Sequence, residues 1–129
     1  MPFITNKDAR EIPWRPGYRS FTLAGKDQGI KPVCSTSIIE PGRGAPLHFH
    51  DNVDEVIIVI EGTLDFRLGD ERREVGPDST VAIPAKVPHG FTVVGTKAAR
   101  IYAFLPQHGA FAAATYLEGG PPAAALENR

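Results

Sequence analysis

Residues 41–62, PGRGAPLHFHDNVDEVIIVIEG, decide the fold and the chemistry predicted for this chain. His48 and His50 stand two residues apart, so both imidazoles project from the same face if the segment is an extended strand. Residues 51–54 are polar and turn-prone, which allows the chain to reverse before Glu55 opens a strongly apolar strand. We therefore expect Glu55 to approach the two histidines from a neighbouring strand.

His89 is the fourth candidate ligand, and it follows a proline-marked turn in PAKVPH. The chain has only four histidines, and three of them stand at the positions named so far. Three neutral imidazoles and one carboxylate suit a divalent transition metal, and they leave positions open if the ion prefers six ligands. The sequence predicts a site for iron, manganese or nickel, with zinc also possible, held by His48, His50, Glu55 and His89.

Two segments resemble the conserved motifs of the cupin superfamily. Residues 42–62 fit its first motif in full, and the second motif is matched by Gly76, Pro84 and His89. The resemblance extends over residues 33–105 and implies a small single-domain cupin. Its fold would be an all-β double-stranded β-helix, or jelly-roll barrel.

Two residues depart from the second cupin motif. Lys86 stands where the family often has Gly, and Val93 stands where it often has Asn. A left-handed backbone at Lys86 would cost about 1–2 kcal/mol, unless the turn differs slightly from that of the family. Neither departure removes a ligand, so they bear on the rim of the pocket.

Composition narrows the class of protein. A chain of 129 residues forms one domain, and 13 glycines and 12 prolines between short apolar runs favour an all-β fold. The net charge of −1 offers no surface for nucleic acid, and no apolar stretch approaches the roughly 20 residues of a membrane span. A single cysteine, Cys34, and an N-terminus without an apolar signal core favour the cytoplasm.

The chain divides into three parts. Residues 1–20 form an N-terminal arm that contains Trp14, residues 33–105 form the barrel, and residues 106–129 form an Ala-rich tail with a short helix over 111–117. Alternating and apolar patterns predict strands over 21–24, 32–39, 56–60, 63–68, 72–75, 80–83, 91–94 and 98–105. The strand over 56–60 is apolar on both faces, so we expect a partner subunit or the arm to cover it, and we favour a homodimer.

Strand parity indicates which side chains face the pocket. Phe91 and Val93 share a face with His89, and Ile57 and Val59 share one with Glu55, which predicts an apolar cavity with one polar end. Arg100 and Tyr102 are polar candidates for orienting a substrate, although an exposed Arg and a core Tyr explain them equally well. His108 lies in the tail and is a weak candidate ligand.

The resemblance implies a metal-dependent enzyme that binds a small-molecule substrate. Similarity to quercetinase-type cupins points to a non-haem dioxygenase, an oxidoreductase acting on a small phenolic or dicarbonyl compound, with Glu55 as both a metal ligand and a catalytic base. A non-redox isomerase, epimerase or cyclase is the alternative, and it would need a further base or charged anchor inside the barrel. A binding domain without catalysis is the third possibility.

Overall fold

The computed structural model describes residues 2–110 and 113–127, which form eleven strands in two antiparallel sheets. In spatial order, the first sheet contains β1 (Arg10–Arg15), β2 (Tyr18–Ala24), β3 (Val33–Ile39), β10 (Ala99–Leu105), β5 (Glu55–Glu61) and β8 (Ser79–Ile83). The second contains β11 (Thr115–Tyr116), β4 (Gly44–Phe49), β9 (His89–Val94), β6 (Thr63–Leu68) and β7 (Glu71–Val75). The predicted all-β jelly-roll fold is confirmed.

The hydrophobic core lies between the two sheets. Alternation in β6 buries Leu64 and Phe66, with 0% and 2% of their surfaces exposed, and leaves the residues between them on the outer face. Val59 and Ile101 face them from the first sheet, at 0% and 1% exposure. Burial of each such side chain is worth about 1.5–3 kcal/mol, so this layer holds the sheets, and with them the site, in a fixed relation.

The N-terminal arm folds onto the barrel as a hairpin of β1 and β2. The turn between these strands contains Pro16 and Gly17, whose φ of 67° is a left-handed value that favours glycine. The register shifts between Pro13 and Arg15, so the strand bulges at Trp14. This bulge breaks the period-two pattern, which is why the sequence of the arm shows no clear alternation.

The tail differs from the prediction. The short C-terminal helix, α1, lies at Ala123–Glu127, and the predicted helix over 111–117 is wrong for residues 115–116, which form β11 on the edge of β4. A β-branched residue and an aromatic residue favour a strand there, and Pro122 suits the start of a helix. Phe111 and Ala112 lie outside the described residues. No helix within residues 2–110 and 113–127 is long and apolar enough to cross a membrane.

The outer face of β5 remains apolar. Ile60 on β5 and Phe104 on the adjacent β10 are 40% and 38% exposed. The N-terminal hairpin does not cover them, because β2 and β3 separate β1 from β10 in the sheet. The sequence led us to expect that either the N-terminal arm or a partner subunit covers this strand. The arm does not, and a homodimer that covers it stays a prediction.

Candidate metal centre

His48, His50, Glu55 and His89 come together at one end of the barrel. His48 lies on β4 and is paired in register with His89, the first residue of β9. His50 follows the end of β4, and Glu55 begins β5. All four are buried, and the atoms that they offer as ligands lie within 4.8 Å of one another. The cluster could hold one metal ion, as the spacing of these residues predicts.

Each imidazole is oriented by a backbone carbonyl oxygen. The Nδ1 atom of His48 lies 2.8 Å from the oxygen of Pro46, and that of His89 lies 3.0 Å from the oxygen of Val87. The Nδ1 atom of His50 lies 3.1 Å from the oxygen of Ala110, in the tail. Because a carbonyl oxygen can only accept, each Nδ1 carries the proton, and each Nε2 is left to bind a cation.

The position of Glu55 supports a cation within the cluster. Its Oε1 atom lies 3.2 Å from Nε2 of His89 and 3.4 Å from Nε2 of His50. Lone pairs that face one another at these distances need a proton or a metal ion between them. Two atoms that each lie about 2.0–2.2 Å from one ion would be separated by roughly this distance. The residues present therefore fit a divalent transition metal.

Burial sets the charge states of the site. Burial, and then the charge of His89, lowers the pKa of His48 to about 4, so this imidazole is neutral at pH 7. Burial alone would raise the pKa of Glu55. Hydrogen bonds with His50 and His89 outweigh it and hold that pKa at about 2. A neutral imidazole beside an ionised carboxylate is the protonation state that metal binding requires.

The turn before His89 supports the position of His50. Lys86 has a φ of 71°, which confirms the left-handed conformation predicted from the missing glycine. Its backbone N–H donates to the carbonyl oxygen of His50 at 2.6 Å. The carboxylate of Asp54 accepts a hydrogen bond from the N–H of Ala85 at 2.8 Å. This bond connects the loop before β5 to the turn before His89.

A cavity of about 270 Å³ opens beside the ligands. Ile57 and Phe91 line it as strand parity predicts, whereas Val59 and Val93 belong to the core below it. Ile101, Ala103 and Leu105 are the residues of β10 that face the cavity. Their intervening neighbours project to the opposite face, so Arg100 and Tyr102, the polar candidates for orienting a substrate, do not line the cavity.

The cavity is more polar than the sequence predicted. Tyr18, Ser20, Ser35 and Ser37 line it from the first sheet, and Ser37 donates to Ser20 at 3.2 Å. Burial, and then the charge of Glu55, raises the pKa of Tyr18, so its hydroxyl is protonated at neutral pH. The alternation over 33–39 placed Ser35 and Ser37 on one face, but nothing in the sequence said that this face is the inner one.

Tyr116 was also missed, because it lies in the tail. Its ring stacks on that of His48, with a centroid distance of 4.9 Å and an interplanar angle of 20°. The guanidinium of Arg15 lies over the ring of Tyr116, 5.7 Å from its centroid. His108 lines the cavity but is not part of the ligand cluster. The tail therefore contributes to the site through Tyr116 and the carbonyl of Ala110.

Comparison with known proteins agrees with the fold. Residues 35–105 match the family described as the Cupin domain. An uncharacterized protein of Methanocaldococcus jannaschii is 31% identical over 68 residues, which are 53% of this chain and 54% of that protein. The chain thus matches only about half the length of this curated relative.

Several solved structures share the architecture. The polyketide cyclase RemF from Streptomyces resistomycificus has a TM-score of 0.78 and 21% identity, covering 100% of this chain and 94% of that one. A sugar phosphate isomerase from Silicibacter pomeroyi has a TM-score of 0.74 and 21% identity, covering 92% and 83%. A predicted oxalate decarboxylase from Thermotoga maritima has a TM-score of 0.71 and 14% identity, covering 82% and 99%. At these identities the likeness concerns the fold alone.

Proposed function

The chain belongs to the cupin family, and we propose that it is a metal-dependent enzyme acting on a small phenolic or dicarbonyl compound. The observation that carries this proposal is the convergence of three carbonyl-anchored imidazoles on the buried carboxylate of Glu55, beside an open cavity. When bound, a divalent ion supplies Lewis acidity toward an enolate or phenolate, and iron, manganese or nickel adds redox chemistry with dioxygen. His48, His50, Glu55 and His89 would hold it.

The first candidate reaction is oxygenation by dioxygen, as in a non-haem dioxygenase. Glu55 is ionised at neutral pH and lines the cavity, so its free oxygen is the group that accepts the proton of an enol or phenol. Ile57 and Phe91 exclude water from the apolar body of the substrate. This assignment makes Glu55 both a ligand and the catalytic base.

The second candidate is a proton-transfer reaction such as isomerisation or cyclisation. A further polar group inside the barrel is what this class requires, and Tyr18 provides one, buried and protonated across the cavity from Glu55. Ser37 shares a hydrogen bond with the Tyr18 hydroxyl and steadies it. The structural similarity to the polyketide cyclase RemF, which covers 100% of this chain, is compatible with a cyclisation reaction.

Metal analysis tests the proposal. Inductively coupled plasma mass spectrometry of the purified protein should give close to one ion per chain, and His50→Ala should lose it. His108→Ala is the matched control, because His108 lies outside the ligand cluster. Absence of any bound ion after loading with iron, manganese, nickel and zinc in turn would overturn the proposal.

Two assays separate the candidate reactions. Oxygen uptake with phenols and diketones in the iron-, manganese- or nickel-loaded protein supports oxygenation. Deuterium exchange into a 1,3-diketone under anaerobic conditions, measured by NMR and lost in Tyr18→Phe, supports proton transfer. Tight binding of either compound class with neither activity would indicate a binding domain.

A further inference from the structure

We propose that Arg15 binds a carboxylate of the substrate, so that the cavity takes a small phenolic or dicarbonyl acid in preference to a neutral compound. This inference rests on the proposed function, because the remainder of the substrate would face the metal ligands. It assigns a charged anchor to the N-terminal hairpin, outside the matched residues 35–105.

The backbone of β1 directs Arg15 into the cavity. Alternation would send Trp14 and Arg15 to opposite faces of the strand, yet both line the cavity. The register shift between Pro13 and Arg15 explains this, because a bulge re-aims a side chain and is frequent beside functional sites. The bulge thus places a cation and an aromatic ring at the same cavity.

The guanidinium of Arg15 lacks a full set of partners. The Nη2 atom of Arg15 donates a hydrogen bond to the carbonyl oxygen of Gly120 at 2.7 Å, and the side chain also hydrogen-bonds Tyr116. Its Nε is buried and has no hydrogen-bond partner within the part of the chain that the structure describes. Arg15 takes part in no ion pair among the described residues 2–110 and 113–127. Arg15 as a whole is half-buried, and only its Nε is fully buried. A buried donor atom without a partner is costly, and one on a cation in a cavity wall favours the binding of an anion there.

The position of Arg15 matches a substrate that also reaches the metal ligands. Its guanidinium lies 5.7 Å from the ring centroid of Tyr116, and that ring stacks on His48 at 4.9 Å. Tyr116 therefore contacts both the cation and one residue of the ligand cluster. The planar fork of a guanidinium matches a carboxylate, which can accept two parallel hydrogen bonds. A substrate ring with oxygens at one end and a carboxylate at the other would direct the oxygens to the metal ligands and the carboxylate to Arg15.

The turn after Arg15 holds it in place before any ligand arrives. The carbonyl oxygen of Gly17 accepts a hydrogen bond from the N–H of Glu40 at 2.9 Å. A Cβ at Gly17 would lie 2.8 Å from side-chain atoms of both Glu40 and Arg43, so the turn is packed closely against the β3–β4 connection. A fixed anchor loses little conformational entropy on binding, which favours specificity for the anion.

A matched pair of probes tests the proposal. 3,4-Dihydroxybenzoate and catechol present the same two hydroxyls, and only the first carries a carboxylate. Trp14 is the only tryptophan and lines the cavity, so its fluorescence reports binding to the zinc-loaded protein without any turnover. We expect 3,4-dihydroxybenzoate to bind about tenfold more tightly than catechol, the advantage of a charge-assisted pair.

Variants assign that advantage to Arg15. Arg15→Met should bind the two probes equally, whereas Arg15→Lys, which keeps the charge but not the fork, should retain part of the advantage. Arg19→Met is the control, since Arg19 is exposed and paired with Glu11. An advantage that persists in Arg15→Met, or that is absent in the wild type, overturns the proposal.

The outcome is separable from that of the proposed function. Absence of the carboxylate preference in the wild type, with zinc and catechol both still bound, would refute the role of Arg15 alone. Failure of the wild type to bind iron, manganese, nickel or zinc would refute the metal centre, and the probe experiment in the metal-free protein would then still report on Arg15. Failure of both probes to change Trp14 fluorescence counts against the anchor.

Discussion

Acid should destabilise the metal-free protein through His48. This imidazole is 7% exposed, and burial, then the charge of His89, holds its folded pKa at about 4. In the unfolded chain His48 binds a proton with the ordinary histidine pKa of 6.5, whereas in the folded state it does not accept one until about pH 4. The stability contributed by the neutral ring is therefore fully present above pH 6.5 and is lost as the pH falls toward 4.

The magnitude follows from the two pKa values. The full difference corresponds to about 3 kcal/mol, of which about 2 kcal/mol is lost between pH 8 and pH 5. Glu55 acts in the same direction, but because its folded pKa is about 2, its effect is confined to pH values below the ordinary glutamate pKa of 4.5. Comparison of pH 8 with pH 5 thus separates the imidazole from the carboxylate.

Urea unfolding in the presence of a chelator measures this loss. The free energy of unfolding of the wild type should fall by about 2 kcal/mol more than that of His48→Gln between the two pH values. His108→Gln is the control, because His108 is exposed and should keep the wild-type dependence. An identical pH dependence in His48→Gln and the wild type would refute the argument that His48 is buried as a neutral ring.

Three further outcomes are expected. Replacement of Lys86 by Gly should raise the free energy of unfolding, measured by urea titration, by about 0.5–1 kcal/mol. The reason is that relief of the left-handed backbone strain exceeds the entropy cost of glycine. A destabilised variant would contradict this. Tyr116→Leu should weaken zinc affinity, measured by competition with a chelator, whereas Tyr116→Phe keeps the stack on His48 and should keep the affinity. Equal zinc affinities of the two variants would show that the stack is irrelevant. The double variant of Ile60→Lys and Phe104→Glu should be monomeric by light scattering at concentrations where the wild type is a dimer, and a monomeric wild type would remove the predicted homodimer.

The ligand set was predictable because its determinants are local. Two histidines separated by one residue share a face of any extended strand, and the turn after them returns Glu55 to their level. Apolar alternation likewise located most barrel strands, since a period of two follows from the pleat. A left-handed conformation at Lys86 was one of two alternatives that its place in the cupin-like motif implied, and its φ of 71° decides between them.

The inner face of β3 and the roles of β10 required the tertiary structure. Alternation divides Ser35 and Ser37 from their neighbours but does not state which side faces inward. The same ambiguity made Arg100 and Tyr102 candidates for the cavity, whereas Ile101 and Ala103 face it. Only the packing of the second sheet against the first decides this.

The sequence by itself determined the fold class and the four candidate ligands, because the spacing of His48, His50 and Glu55 is local and two segments resemble the cupin motifs, the second of which contains His89. The tertiary structure alone decided how the termini complete the site. Arg15 and Gly120 are 105 positions apart and meet at a hydrogen bond of 2.7 Å, and Tyr116 reaches His48 only because β11 pairs with β4. Neither segment carries a periodic pattern, since a bulge interrupts one and the other is two residues long. Contacts of this kind depend on where the barrel brings the two ends of the chain.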